Sequence, residues 1–171
     1  MRIREAKIDD VSGVAKVHVG SWNTTYKGII PDEFLEKMSY EKRKVLWQKI
    51  LGESGNKEYV YVLEDENEII GFASCGAERS GDELYKGELY AIYLLKEYQR
   101  NGYGTKLFKT ILNKINELGY STILLWVLEK NPACQFYETM GGKKVKQRVV
   151  NIGGRDLKEI AYGWDNIQII I

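Results

Sequence analysis

The sequence predicts a single α/β domain on a mixed sheet, and three observations predict it. The first is a strand, a glycine loop and a helix in succession. Leu89 to Leu95 alternates as a strand, Gln99-Arg100-Asn101-Gly102-Tyr103-Gly104 forms the loop, and Leu107, Phe108, Ile111, Leu112, Ile115 and Leu118 give the helix its apolar face. The second is Thr122 to Leu128, almost purely apolar, as expected of a strand covered on both faces. The third is a pair of hairpin signals, Asp65-Glu66-Asn67 and Gly153-Gly154, each between strand-like runs. A helix joining two buried strands makes a central parallel pair, and a ligand crevice is expected there.

The other elements follow in chain order. Arg2 to Lys7 reads as a short strand. Asp9 or Asp10 can cap a helix on which Val11, Val14, Ala15, His18 and Trp22 share a face, ending near Trp22. Asn23 to Ile30 is then a loop, and Pro31-Asp32-Glu33 starts a helix carrying Phe34, Leu35 and Met38. Ser39 caps a further helix, Tyr40 to Leu51, expected to pack through Val45, Leu46 and Ile50. Gly52-Glu53-Ser54-Gly55-Asn56 breaks it. Tyr59 to Leu63 and Ile69 to Glu78 form the first hairpin, and Arg79 to Lys86 is a polar loop. Gly119 ends the long helix, Asn131-Pro132 opens a short one from Ala133 to Met140, and Gly141-Gly142 stops it. Val145 to Asn151 and Lys158 to Trp164 make the last hairpin, and an apolar tail runs from Ile167 to Ile171.

The bulk properties narrow the function classes. The chain has 171 residues, 44% of them apolar and 29% charged, with a net charge of +1. Such a balance offers no basic field for nucleic acid or an anionic membrane. No run approaches the roughly 18 apolar residues of a membrane span, and the charged start MRIREAKIDD has no signal-peptide core, so a cytoplasmic protein is expected. Cys75 and Cys134 lack metal spacing and read as reduced thiols, and a lone histidine, His18, rules out a His-rich metal site; no metal is expected.

The loop suits an anion. The first turn of a helix has unpartnered N–H groups and the positive end of the helix dipole. Gly102 and Gly104 remove the Cβ atoms that would keep a phosphate away, and Arg100 adds a charge. Neither the Walker pattern nor the G-x-G-x-x-G dinucleotide pattern is present; position 107 is Leu.

The pattern Gln99-x-x-Gly102-x-Gly104 between a strand and an amphipathic helix resembles the acetyl-CoA pyrophosphate loop of the GNAT superfamily of N-acetyltransferases. A second match lies at Trp126-Val127-Leu128-x-x-Asn131-Pro132-Ala133-x-x-Phe136-Tyr137-Glu138-x-x-Gly141-Gly142, which resembles the family's fifth strand and following helix. Trp22-x-x-x-Tyr26-x-Gly28-x-x-Pro31 is similar to one branch of the family, where this region walls the acceptor site. Two departures, Lys96 where many members have Pro and Gly142 where an aromatic is common, leave the donor site untouched.

The resemblance covers essentially the whole chain. It implies a GNAT-like, mostly antiparallel seven-stranded sheet with a central parallel pair and helices on both faces. It implies acetyl transfer from acetyl-CoA to a primary amine of a small molecule or peptide, by direct attack in a ternary complex. An alkylammonium, with a reference pKa of about 10.4, must first lose a proton. Glu88 matches the family's general base, and simple alternation puts it on one face with Tyr90, Ile92 and Leu94. Tyr137 matches the general acid for the departing thiolate. The family's bulged fourth strand corresponds to Ile92, Tyr93 and Leu94, whose main chain would bind the acetyl carbonyl and pantetheine. Gln99, Arg100, Asn101, Gly102, Tyr103, Gly104 and Thr105 would hold the pyrophosphate, and Asn131, Ala133 and Phe136 the pantetheine side.

Trp22 and Tyr26 are the acceptor-side candidates; the spacing of Trp22 and His18 with Val11 also fits the core of the first helix. Cys134 has no base beside it, so a covalent cysteine route is not expected. The rival readings are a non-catalytic acetyl-CoA sensor or interaction module of the same fold, and transfer of another acyl group. A homodimer through the last strands would account for the apolar tail.

Overall fold

A computed structural model describes residues 1–53, 55 and 57–170; Ser54 and Asn56 of the expected helix break and Ile171 of the expected tail lie outside the described residues. Seven strands form one sheet: β1 (Arg2–Glu5), β2 (Tyr59–Asp65), β3 (Glu68–Ala77), β4 (Gly87–Leu94), β5 (Ile123–Leu128), β6 (Lys143–Ile152) and β7 (Arg155–Trp164). Their order is β1-β2-β3-β4-β5-β7-β6. All neighbours are antiparallel except β4 and β5, which are parallel.

Among the described residues five α-helices cover the sheet: α1 (Val11–Thr25), α2 (Asp32–Glu36), α3 (Tyr40–Gly52), α4 (Tyr103–Glu117) and α5 (Ala133–Thr139). On one face Val14, Ala15 and Val17 of α1 and Trp47 of α3 pack on Val60, Val62 and Phe72. On the other, Leu107, Phe108, Ile111, Leu112 and Ile115 of α4 are fully buried against strand residues such as Ala73, Leu125 and Tyr162. Period-3.6 spacing in α4 thus becomes one continuous apolar stripe. Gly119, at φ +84°, ends the helix in the left-handed region that suits glycine.

Four local expectations are corrected. Helix α1 continues to Thr25, past the expected end near Trp22, and Tyr26 N–H closes the last turn on the Trp22 carbonyl. The Thr24 hydroxyl adds to this by donating to the carbonyls of Gly20 and Ser21. Asp10 does not cap α1 through its side chain; it accepts from Arg4 at 2.7 and 2.9 Å and from the Lys7 N–H. Helix α3 packs through Trp47 with Ile50 and Leu51, whereas Val45 and Leu46 are exposed. The reason is the indole of Trp47, which fills the α1–α3 seam and donates to His18 Nδ1 at 3.1 Å.

The fourth concerns β4. The β3–β4 register shifts between Ser74, which pairs with Ala91, and Cys75, which pairs with Leu89. Tyr90 is the extra residue, so alternation breaks there. Leu89 therefore joins Ile92 and Leu94 on the α4 face, while Ala91 and Tyr93 face α1. Glu88 does not share the face of Ile92 and Leu94 as alternation predicted. The bulge also lies before Ile92-Tyr93-Leu94 rather than within it.

Two predictions follow from this packing. Ile111→Ala should lower the free energy of unfolding by about 2–5 kcal/mol in urea titrations, because it opens a cavity under the sheet. The Arg4 guanidinium holds the Asp10 carboxyl below its ordinary value of 3.8. That contribution is fully present above the unfolded-state value and is lost as pH falls through the folded one. Asp10→Asn should be less stable at neutral pH and should lose stability less steeply on acidification.

Candidate active site

Strands β4 and β5 are paired only at Gly87↔Ile123 and Glu88↔Leu124. Beyond that point β5 stays paired with β7 along its length and β4 stays paired with β3. The two parallel strands splay, and their facing main-chain groups have no ladder between them. A cavity of about 550 Å³ opens in the gap. Its wall runs from Ser21, Thr25 and Tyr26 of the α1 end, along Leu89–Leu94 and Leu125–Val127, to the glycine loop and α5.

At the loop end, Arg100 (φ +62°) and Gly102 (φ +80°) adopt left-handed backbone conformations. Gln99 braces the turn by donating from Nε2 to the Leu94 carbonyl at 2.9 Å, and Asn101 Nδ2 donates to the Gln99 carbonyl at 3.1 Å. The first hydrogen bond of α4 runs from Lys106 N–H to the Gly102 carbonyl. The N–H groups of Tyr103, Gly104 and Thr105 therefore have no partner within the helix. A Cβ on Gly102 would meet nothing within 4 Å, so the space over the turn is open. One on Gly104 would stand 3.7 Å from the Phe136 ring. Open N–H groups, the positive end of a four-turn helix and Arg100 together can take a phosphate or pyrophosphate. Thr105 lines the same end, its hydroxyl 4.0 Å from Met140 Sδ.

The middle of the cavity is a set of tyrosine hydroxyls. Trp22 Nε1 donates to the Tyr93 hydroxyl at 3.0 Å, and Asn131 Nδ2 donates to the Tyr26 hydroxyl at 3.3 Å. The Tyr26 and Tyr93 hydroxyls are hydrogen-bonded to each other. Asn131 is buried and also accepts from Ala133 N–H at 2.8 Å, so it caps α5 and steadies Tyr26 at once. Tyr137 is buried in the wall, its ring 5.4 Å from Phe136 and 5.8 Å from Tyr162. Burial pushes the hydroxyls of Tyr26, Tyr93 and Tyr137 above the usual tyrosine range. At neutral pH they are proton donors, not bases. His18 stacks on Tyr93 at 5.4 Å, and burial, with help from Arg43, lowers its pKa to about 3, so it is neutral.

The cavity wall contains Tyr26, Ile92, Tyr93, Leu94, Gln99, Arg100, Gly102, Gly104, Thr105, Asn131, Ala133, Phe136 and Tyr137. Four candidates are not in it. Asn101 is spent on the turn, Tyr103 carries the Lys106 ammonium 5.5 Å from its ring, and Trp22 sits behind Tyr93. The fourth is Glu88. It is buried and clamped by Arg79, which donates from Nη2 to Oε1 at 2.6 Å and from Nε and its backbone N–H to Oε2 at 3.1 Å. Arg79 lies over the Tyr90 ring at 3.8 Å. Among the described residues no carboxylate or histidine side chain lines the cavity.

Sequence reasoning gave no individual role to Ser21, Thr25, Trp126, Gln135 and Thr139, which line the wall. Ser21 had a signal: a small polar residue on the apolar side of α1, now buried with its hydroxyl unpartnered. Burial raises the pKa of both thiols, Cys75 to about 12, which suits neither for nucleophilic attack. Among the described residues no cluster of His, Cys, Asp or Glu could hold a metal ion, and no helix is long and apolar enough to cross a membrane.

Comparison with known proteins places this geometry. The model of the acetyltransferase (GNAT) family matches residues 21–141, and the chain belongs to that family. It is 40% identical to the uncharacterized N-acetyltransferase YuaI of Bacillus subtilis, over 98% of this chain and 95% of the relative. It is 25% identical to a spermidine N(1)-acetyltransferase of Thermoplasma acidophilum, over 85% and 89% of the two chains. The fold matches PaiA N-acetyltransferase of Thermoplasma acidophilum in complex with coenzyme A, with a TM-score of 0.72 and 22% identity over 95% and 98% of the chains. These relatives make the chain an acyltransferase in class.

The double use of Asn131 gives a test. Asn131→Ala should cost about 1 kcal/mol through the lost cap. Asn131→Asp should keep most of that stability, because it keeps the accepting oxygen but not the donor to Tyr26. Thermal unfolding of the two variants separates these contributions.

Proposed function

We propose that the protein transfers the acetyl group of acetyl-CoA to a primary amine by direct attack in a ternary complex. The observation that carries this reading is the gap between β4 and β5, with an anion-binding helix end at one side and Tyr137 in its wall. When bound, acetyl-CoA supplies an activated thioester: the amine lone pair forms the C–N bond as the C–S bond breaks.

The residues divide the work. The N–H groups of Tyr103, Gly104 and Thr105, with Arg100, hold the pyrophosphate. The main-chain groups of Ile92, Tyr93 and Leu94 on the side away from β3 hold the pantetheine arm and the acetyl carbonyl, as preorganised donors for developing charge. Asn131, Ala133 and Phe136 bound the arm on the α5 side. Tyr137, kept protonated by burial, gives its proton to the departing thiolate. Tyr26 lines the acceptor end, and Trp22 positions Tyr93 from behind.

Deprotonation of the amine does not run directly through Glu88 in this reading. Glu88 is clamped outside the cavity wall, and we assign it a positioning role: through Arg79 and Tyr90 it braces the bulge of β4. With no carboxylate or histidine side chain among the described residues of the wall, the amine reacts from its neutral fraction and its proton leaves to water. The lack of a base also favours the second reading, a module that binds acetyl-CoA without turning it over.

Release of free CoA thiol, measured across a panel of amines, tests both readings. Amine-dependent release is expected, and tight acetyl-CoA binding with no stimulated release would favour the sensor. Tyr137→Phe should lower kcat by about 10²-fold or more with acetyl-CoA affinity unchanged. With Glu88→Gln, kcat/KM should keep its rise with pH, approaching a plateau at the pKa of the amine used. A lost pH limb in that variant would restore Glu88 as the base.

A further inference from the structure

A second cavity, of about 340 Å³, lies beside the acceptor end and is lined by Phe34, Lys37, Met38, Ser39, Lys42 and Arg43. Three of these side chains are cationic and none is acidic. Among the described residues no carboxylate comes within ion-pair distance of Lys37, Lys42 or Arg43. The nearby acids in sequence, Asp32, Glu33, Glu36 and Glu41, are all exposed and outside the lining.

Arg43 is the informative member. It is half-buried, with Nε 3.1 Å from Met38 Sδ and its guanidinium 5.7 Å from the centre of the Trp22 ring. Thioether and indole stabilise a cation weakly; neither replaces a counter-ion. Burial pulls its pKa down, yet a guanidinium keeps its proton, so the charge stays. Taking a charge from water without a partner costs free energy, and an anion arriving from outside removes that cost. The Ser39 hydroxyl accepts from Lys42 N–H at 3.3 Å, which places the positive end of α3 at the same cavity.

The two cavities share no lining residue, and Trp22 stands between them. Trp22 has Arg43 over its ring, and its Nε1 donates to the hydroxyl of Tyr93, which lines the main cavity. Building on the acetyl-transfer reading above, we infer that the acceptor is a primary amine with an anionic group, carboxylate or phosphate, at its far end. Arg43, Lys42 and Lys37 hold the anion while the amine passes Trp22 toward the splayed strands. A polyamine is a poor fit, because neither cavity lining holds an acid for its second ammonium.

The test compares primary amines of equal chain length: ω-amino acids and aminoalkyl phosphates against alkylamines and diamines, over a range of spacers. At the best spacer the anionic acceptor should exceed its neutral partner by at least about tenfold in kcat/KM, mainly through KM, the size of one charge-assisted contact. Diamines should fall below both. Arg43→Gln should abolish the preference, and Lys49→Gln, on the same helix but outside the cavity, should keep it. Arg43 packs on Trp22 and its loss could unfold the protein, so Lys42→Gln, at an exposed position, serves as the second variant and should reduce the preference. Equal use of neutral and anionic acceptors, or a preference for diamines, overturns the inference.

A separate readout needs no turnover. Inorganic phosphate titrated into the intact protein should shift the Arg43 Nε–H resonance saturably, and a null titration counts against the site. If no amine releases CoA while phosphate still saturates, the acetyl-transfer reading falls, and with it the acceptor assignment; the anion site alone stands.

Discussion

The structure depends on the parting of β4 from β5 after two residue pairs. Parallel strands bury their hydrogen-bonding groups between them, and ending that pairing early leaves a row of unpaired main-chain groups in the middle of a sheet. Such groups are costly unless something else satisfies them. The fold tolerates the gap because each strand is anchored on its other side, β4 to β3 and β5 to β7. The opening is therefore a ready site for a ligand with its own amide groups, and the chemistry proposed above is laid along it.

Helix α4 connects the core to that opening. Its buried face, from Leu107 to Ile115, fixes the helix against the sheet, so its first turn points at a fixed place. The loop that feeds it uses left-handed backbone at Arg100 and Gly102 to bring that turn to the end of the gap. Gln99 lines the cavity and also braces the turn, donating from Nε2 to the Leu94 carbonyl. The same economy appears at Asn131, which caps one element and steadies the side chain of another.

Electrostatics divide the protein into unlike regions. The gap is walled by hydroxyls and apolar side chains, and burial keeps its tyrosines protonated. The buried carboxylate of Glu88 is neutralised by Arg79. Arg43, by contrast, has no acidic partner among the described residues and sits one indole ring from the gap. In the acceptor assignment proposed above, cations placed this way would shape which amines approach more than how fast they react.

The sequence by itself determined the element order, the parallel pair, the glycine loop and most of the residues that meet in the cavity. These are legible because they rest on local signals: periodicity, turn residues and a short motif that must be contiguous to work. What only the tertiary structure decided are relations between segments distant in the chain. A single extra residue at Tyr90 switches the faces of β4, because side-chain period in a strand is two. Trp47 rather than Val45 or Leu46 faces the core, because its partner is His18, far away in sequence. Glu88 meets Arg79, and Arg43 meets Trp22, through contacts that no spacing rule encodes. Pairing of that kind is set by how sheet and helices pack, and it decides which charges are spent inside the protein and which are left for a ligand.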